Sequence, residues 1–251
     1  MNFLRHLCLS LIIILSACDK KNKHSIAEHE SYRFYLWQLL NANYWDFDFI
    51  GTHHDNYFYP GFRGVLFDRD HEGISGIQTV GVLNHMDFVL DHIPKPDVVL
   101  LGIGGNDLAS RSRGIEETVY NIKEIINRFQ AVNPNVVILV EQIAPIKESE
   151  ENIALINDLK EFNQLIAQLS ISESTGRSKV ISVDMFSNWS NQNFADDVHY
   201  NTRGAQEVAF RYYIEIVKHL NFENHYRILP IGDSRVEGYK STSEHVGFRQ
   251  D

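Results

Sequence analysis

The stretch that decides the fold is "YRILPIGDSRVEGY", residues 226–239. A short apolar run leads into Gly-Asp-Ser, and polar sequence follows. It reads as a strand over 227–233 that presents Ser234 at its tip, although little of the sequence comes after it. Working outward, four more short apolar runs read as strands: "FDFIGT" (47–52), "DVVLLGIGG" (97–105), "NVVILVEQI" (135–143) and "KVISVDMF" (179–186). Val and Ile dominate most of them and few charges interrupt them, as in strands buried on both faces of a parallel sheet. Helical periodicity fills the gaps. Within 115–132 the residues Ile122, Ile125, Ile126, Phe129 and Val132 share one face, and 150–170 repeats the pattern from Ile153 to Leu169. Residues 31–42, 79–92 and 202–220 also read as helices. Alternating strand and helix predicts an α/β fold with a three-layer α/β/α arrangement around about five parallel strands. Residues 53–76, rich in Gly, His, Asp and aromatics, fit neither pattern and read as a long functional loop.

Ligands of such folds bind beyond the carboxyl ends of the strands. Four strand ends carry reactive or pliant residues: Ser234; Asn106 and Asp107; "FADDVHYN" at 194–201; and "DHEGISG" at 70–76. A serine hydroxyl is a weak nucleophile until a base takes its proton. Histidine is the usual base, held in one tautomer by a carboxylate. Asp196 and His199 stand three residues apart, within one turn, with Asp197 as a competing acid. A developing oxyanion needs preorganised donors. The Asn106 side chain and the backbone N–H groups of Ser234 and Gly76 can supply them, with Gly73 as an alternative to Gly76. Asp107 reads as structural support.

Together these blocks resemble the SGNH (GDSL-type) hydrolase superfamily: "GDSRVEG" at 232–238, "GISG" at 73–76, "GGND" at 104–107 and "DDVH" at 196–199. "DHEGISG" and "FDFIGT" are most similar to the family 3 carbohydrate esterases. The resemblance implies a flavodoxin-like strand order, 2-1-3-4-5, and a serine esterase. It further implies a triad of Ser234, His199 and Asp196 and an oxyanion hole of Ser234, Gly76 and Asn106. The implied substrate is a short acyl ester, acetyl on a polysaccharide. A lysophospholipase or thioesterase, or a non-catalytic carbohydrate-binding lipoprotein, are the alternatives. The order of the blocks departs from the family, in which the GDS block comes first. A circular permutation, cut between the nucleophile loop and the first helix, would explain this and would set strand 227–233 at the centre of the sheet.

The rest of the sequence bounds the partners. A formal net charge of −10 argues against nucleic acid. No cofactor is expected, and no metal. Adjacent histidines in "THHDN" (52–56) do not easily face one ion, and Asp68, Asp70 and Glu72 make only half a calcium loop. These residues read as a solvated loop or substrate contacts, and Tyr57, Phe58, Tyr59 and Phe62 as a substrate wall or as loop packing. Residues 1–17 read as a signal peptide. Their end, Leu15-Ser16-Ala17-Cys18, resembles a bacterial lipobox, which implies lipidation of Cys18 and an exported lipoprotein of the bacterial cell envelope. Residues 18–30 then read as anchor and tether, and 31–251 as the catalytic domain.

Overall fold

Side chains alternate along the strand Val98–Gly102, and this alternation divides the core in two. Val98 and Leu100 face one side; Val99 and Leu101 face the other. All four are fully buried, which is why the run reads as continuously apolar. The computed structural model describes residues 31–238 apart from Asn56 and Phe58. The expected signal peptide, Cys18 and tether lie outside the described residues.

In chain order the elements are α1 (Tyr32–Ala42), β1 (Asp46–Phe49), β2 (His53–His54), β3 (Asp70–Gly73), α2 (Thr79–His92), β4 (Val98–Gly102), α3 (Gly105–Ala109), α4 (Ile115–Val132), β5 (Val137–Gln142), α5 (Ile153–Glu173), β6 (Val180–Asp184), α6 (Thr202–His219), β7 (His225–Gly232) and α7 (Ser234–Glu237). Among the described residues one sheet holds seven strands, in the order β2-β3-β7-β4-β5-β6, with β1 also paired to β7. All pairings are parallel except β2 with β3. Helices α1 and α6 cover one face through Leu36, Leu40, Val208 and Tyr212. Helices α2, α4 and α5 cover the other through Met86, Ile122, Ile126, Phe162 and Ile166. This is the expected three-layer α/β arrangement.

Strand β7 lies inside the sheet, with β4 on one side and β1 and β3 on the other. A proline is normally excluded from such a strand because it lacks an N–H. Pro230 is tolerated because of where it falls. The Ile228 and Gly232 carbonyls both accept on the β1/β3 side, from Ile50 N–H and Ile74 N–H. Residue 230 faces that same side, and it sits between the end of the β1 ladder at Ile228 and the start of the β3 ladder at Ile231.

Two expectations require correction. Residues 53–76 are not one loop: β2 and β3 form within them, and β3 joins the main sheet beside β7. Both strands are short and carry His, Asp and Glu, so they have no apolar periodicity to read. With them the sheet has seven strands, not about five.

Candidate active site

The parallel register brings three strand ends level. Gly102 of β4 and Gly73 of β3 both pair with Gly232 of β7. The chains leaving these three points therefore meet at one edge. Gly232 is required by close approach, since a Cβ there would lie 1.9 Å from the Gly102 carbonyl oxygen. The Gly102 carbonyl accepts the Asp233 N–H at 3.2 Å. Asp233 caps α7 by accepting from Arg235 N–H at 2.9 Å, which turns the chain and delivers Ser234 at the first helical position.

His199 reaches Ser234 from the turn after the short 3₁₀ helix Asn191–Asn193. Its Nε2 lies 3.2 Å from Ser234 Oγ, and its Nδ1 lies 2.9 Å from Asp196 Oδ2. Asp196 Oδ1 also accepts the N–H groups of Val198 and His199, at 2.8 and 2.7 Å. Burial pushes the Asp196 carboxyl up, but those N–H groups and the imidazole outweigh it and hold it below its ordinary value. The network assigns the Nδ1–H tautomer, leaving Nε2 to accept from the serine hydroxyl. Asp197 points elsewhere: its side chain is 72% exposed and 3.9 Å from Lys147 Nζ.

Asn106 lies in α3, directly after β4. Its Nδ2 donates to the Ile77 carbonyl at 3.0 Å. That bond uses one of the amide's two N–H groups and orients the plane of the other. Ile77 N–H closes a turn onto the Ile74 carbonyl at 3.2 Å, and Gly76 within it has φ +74°, a left-handed conformation that favours glycine. A Cβ on Gly76 would meet nothing within 4 Å, so its surroundings are open. Gly73 differs. A Cβ there would lie 2.5 Å from the backbone N of Glu237, so Gly73 lets α7 pack onto β3. Asp107 accepts from Thr79 N–H and Oγ1, at 3.0 and 2.7 Å, and so pins the start of α2.

Sequence reasoning missed three supporting groups. Arg235 donates to the carbonyls of Ala144 and Val198, at 3.1 and 2.9 Å, tying the His199 turn to the nucleophile helix. Glu141 sits beneath the Gly102 junction, its carboxylate 2.9 Å from where a Gly102 Cβ would be. Burial raises its pKa to about 7, against the Tyr212 hydroxyl that donates to it at 2.7 Å. Arg33 is fully buried. It bonds the Val236 carbonyl at 3.0 Å and pairs with Asp55 at 3.1 Å, linking α1 to α7. Charged residues in a helix or strand leave no spacing signal, so only the neighbouring GDSR motif pointed toward one of them. Of the four aromatics after β2, Tyr59 is core: it packs on Phe34 and Phe67 and donates to Asp55. Phe62 packs edge-on against Trp37, Tyr57 is exposed, and Phe58 lies outside the described residues.

A sequence model of the GDSL-like lipase/acylhydrolase family matches residues 25–207. The match holds the GISG, GGND and DDVH blocks in that order and stops before GDSR, so by itself it shows no rearrangement. No curated protein matches the chain. Among solved structures, a carbohydrate esterase of family 3 from Talaromyces cellulolyticus is similar, at 25% identity and a TM-score of 0.66, over 75% of this chain and 90% of that one. An acetyl esterase S10A mutant, solved with acetate ion, matches with the same identity, coverage and TM-score. A putative platelet activating factor from Streptococcus pneumonia shares the fold, at 22% identity and a TM-score of 0.51 over 75% of this chain and 92% of that one.

Proposed function

Because the chain belongs to the GDSL-like lipase/acylhydrolase family, and so is an ester hydrolase, we propose that it removes short acyl groups, chiefly acetyl, from carbohydrates through a Ser234-His199-Asp196 triad. The observation that carries the triad is the unbroken path from Ser234 Oγ through His199 to Asp196, at 3.2 and 2.9 Å. Ser234 Oγ attacks the ester carbonyl carbon, and its proton moves to His199 Nε2. Asp196 holds the imidazole and stabilises the cation that forms. The carbonyl oxygen takes the negative charge against the N–H groups of Ser234 and Gly76 and the Asn106 amide. Collapse breaks the ester C–O bond, and the His199 imidazolium gives its proton to the departing alcohol. Water, deprotonated by His199, then attacks the acyl-serine; the acyl–Oγ bond breaks, Ser234 Oγ takes the proton back from His199, and the acid leaves.

The acetyl preference rests on the similarity to a family 3 carbohydrate esterase and to an acetyl esterase. A fluorophosphonate probe should label the wild type and not Ser234→Ala, which should also lose turnover of nitrophenyl acetate while remaining folded. Labelling retained in Ser234→Ala would overturn the triad. Faster turnover of long-chain than acetyl esters would replace the carbohydrate reading with a lysophospholipase or thioesterase.

The block order fits a circular permutation within this family. Three facts support it: β7 is the last strand among the described residues yet interior to the sheet, it leads into the GDS block, and Gly238 abuts Ser31. A Cβ on Gly238 would lie 2.8 Å from the Ser31 side chain. The lipid anchor at Cys18 belongs to the same proposal and rests on the lipobox-like residues 15–18. Among the described residues no helix is long and apolar enough to cross a membrane. Palmitate labelling lost in Cys18→Ser would support the anchor, and labelling that persists would refute it.

A further inference from the structure

Outside the triad, three potential ligands from separate elements converge. His53 comes from β2, Glu72 from β3 and His85 from α2. The Glu72 side chain is 2% exposed, and a buried carboxylate requires compensation. Its Oε1 lies 3.4 Å from His53 Nε2 and 3.6 Å from His85 Nε2, and all three ligand atoms fall within 4.8 Å of one another. Two ligand atoms about 2.1 Å from a shared ion, at a tetrahedral angle, lie about 3.4 Å apart. The two His–Glu distances therefore suit one small ion between the three groups, and the imidazoles, 43% and 38% exposed, have room to turn toward it.

The carboxylate is also held from behind. Thr52 N–H donates to Glu72 Oε2 at 2.8 Å, and Thr52 Oγ1 bonds Oε1 at 3.0 Å and Oε2 at 2.9 Å. Bonds of this kind orient a metal-ligating carboxylate. The objection raised by the sequence disappears in three dimensions. The adjacent histidines need not share an ion, because His54 turns outward to Asp70 at 2.9 Å. The second imidazole comes instead from His85, 32 residues away along the chain.

We propose that His53, Glu72 and His85 bind a divalent first-row transition ion, zinc foremost, leaving an open coordination position toward solvent. Two imidazoles and one carboxylate form a donor set that suits zinc better than calcium or magnesium, which prefer oxygen ligands alone. The ion would bridge the end of β3 to α2, the two elements flanking the turn that carries Gly76. The proposal is independent of the esterase assignment.

The test uses the full chain stripped with chelator. Equilibrium dialysis against Zn²⁺, and Co²⁺ titration followed by visible absorption, are compared across variants. The wild type should bind an ion that His53→Ala/His85→Ala does not, and Zn²⁺ should raise Tm only where the pair is intact. His54→Ala, beside the site but outside it, should bind like the wild type. Thr52→Val should weaken binding about 10–100-fold. Both replaced histidines are partly exposed, so circular dichroism melts of the ion-free variants should match the wild type. Equal binding by the double variant and the wild type, or no binding by the wild type, would overturn the site and leave only polar contacts between Glu72 and the two imidazoles.

Discussion

Asn106 and Glu141 illustrate two ways in which a single side chain serves the site. In the proposed mechanism Asn106 acts where charge develops, and the Ile77 carbonyl orients its amide. In Asn106→Ala, kcat should fall by roughly 10²–10³, the loss seen on removing one oxyanion donor, with KM little changed. A rise confined to KM would assign Asn106 to substrate binding. Glu141 acts through stability. Burial raises its pKa from an ordinary 4.5 to about 7 in the folded protein. Between those values the folded state keeps a proton that the unfolded state has lost. The stability contributed by the protonated form is therefore complete below about 4.5 and is lost as pH rises through about 7. Glu141→Gln keeps an acceptor for Tyr212 and removes the titration. Urea melts at pH 4.5 and 8 should show the wild type losing on the order of a few kcal/mol that the variant retains. Parallel profiles would show that Glu141 does not titrate in this window.

At the scale of elements, β7 and α7 make the site and hold the sheet together. Strand β7 pairs on both sides, and Ile228, Leu229 and Ile231 are buried in the two halves of the core. A chain ending at residue 224 would leave β4 and β1 with unpaired inner edges. It should yield no soluble fragment with a cooperative melt; a stable, cooperatively melting one would make β7 dispensable to the fold. Helix α7 is anchored through Arg33, whose guanidinium bonds both the Val236 and Glu237 carbonyls and pairs with Asp55. Arg33→Met strands the Asp55 carboxylate in the interior, and breaking a buried pair in this way costs about 3–5 kcal/mol. Urea unfolding should show that loss, and adding Asp55→Asn should recover part of it. No recovery would mean that Arg33 acts through its carbonyl bonds alone.

At the scale of the molecule, the meeting of Ser31 and Gly238 is the feature with most consequence. If the chain is a permuted member of its family, its own termini should be exchangeable. Joining residue 238 to residue 31 through a short Gly/Ser linker, and opening the chain at Phe222–Asn224 between α6 and β7, should give a folded protein. The opened turn is exposed and connects a helix to the strand it feeds. Esterase activity should stay within a few-fold of the natural order, because no catalytic group moves. A recut chain that folds yet is inactive would show that the natural connection strains Ser234 into position.

The alternation of apolar runs with helical periodicity was enough to establish the α/β class, because strands buried on both faces must be apolar throughout. The four motif blocks were equally legible, since each is a short run of chemically distinctive residues: Ser234, Asn106 and the Asp196/His199 pair stood out before any fold was known. Other features depended on tertiary contact. The i,i+3 spacing favoured Asp196 over Asp197 as the partner of His199, and the N–H groups of the turn hold its carboxylate there. Gly73 and Gly76 looked alike until α7 packed against the first and open space surrounded the second. The strands at His53–His54 and Asp70–Gly73 were invisible because polar residues in a short strand carry no periodicity. The grouping of His53, Glu72 and His85 was hidden too. Sequence records neighbours along the chain, whereas those three side chains become neighbours only when β3 pairs beside β7 and α2 folds back across the sheet.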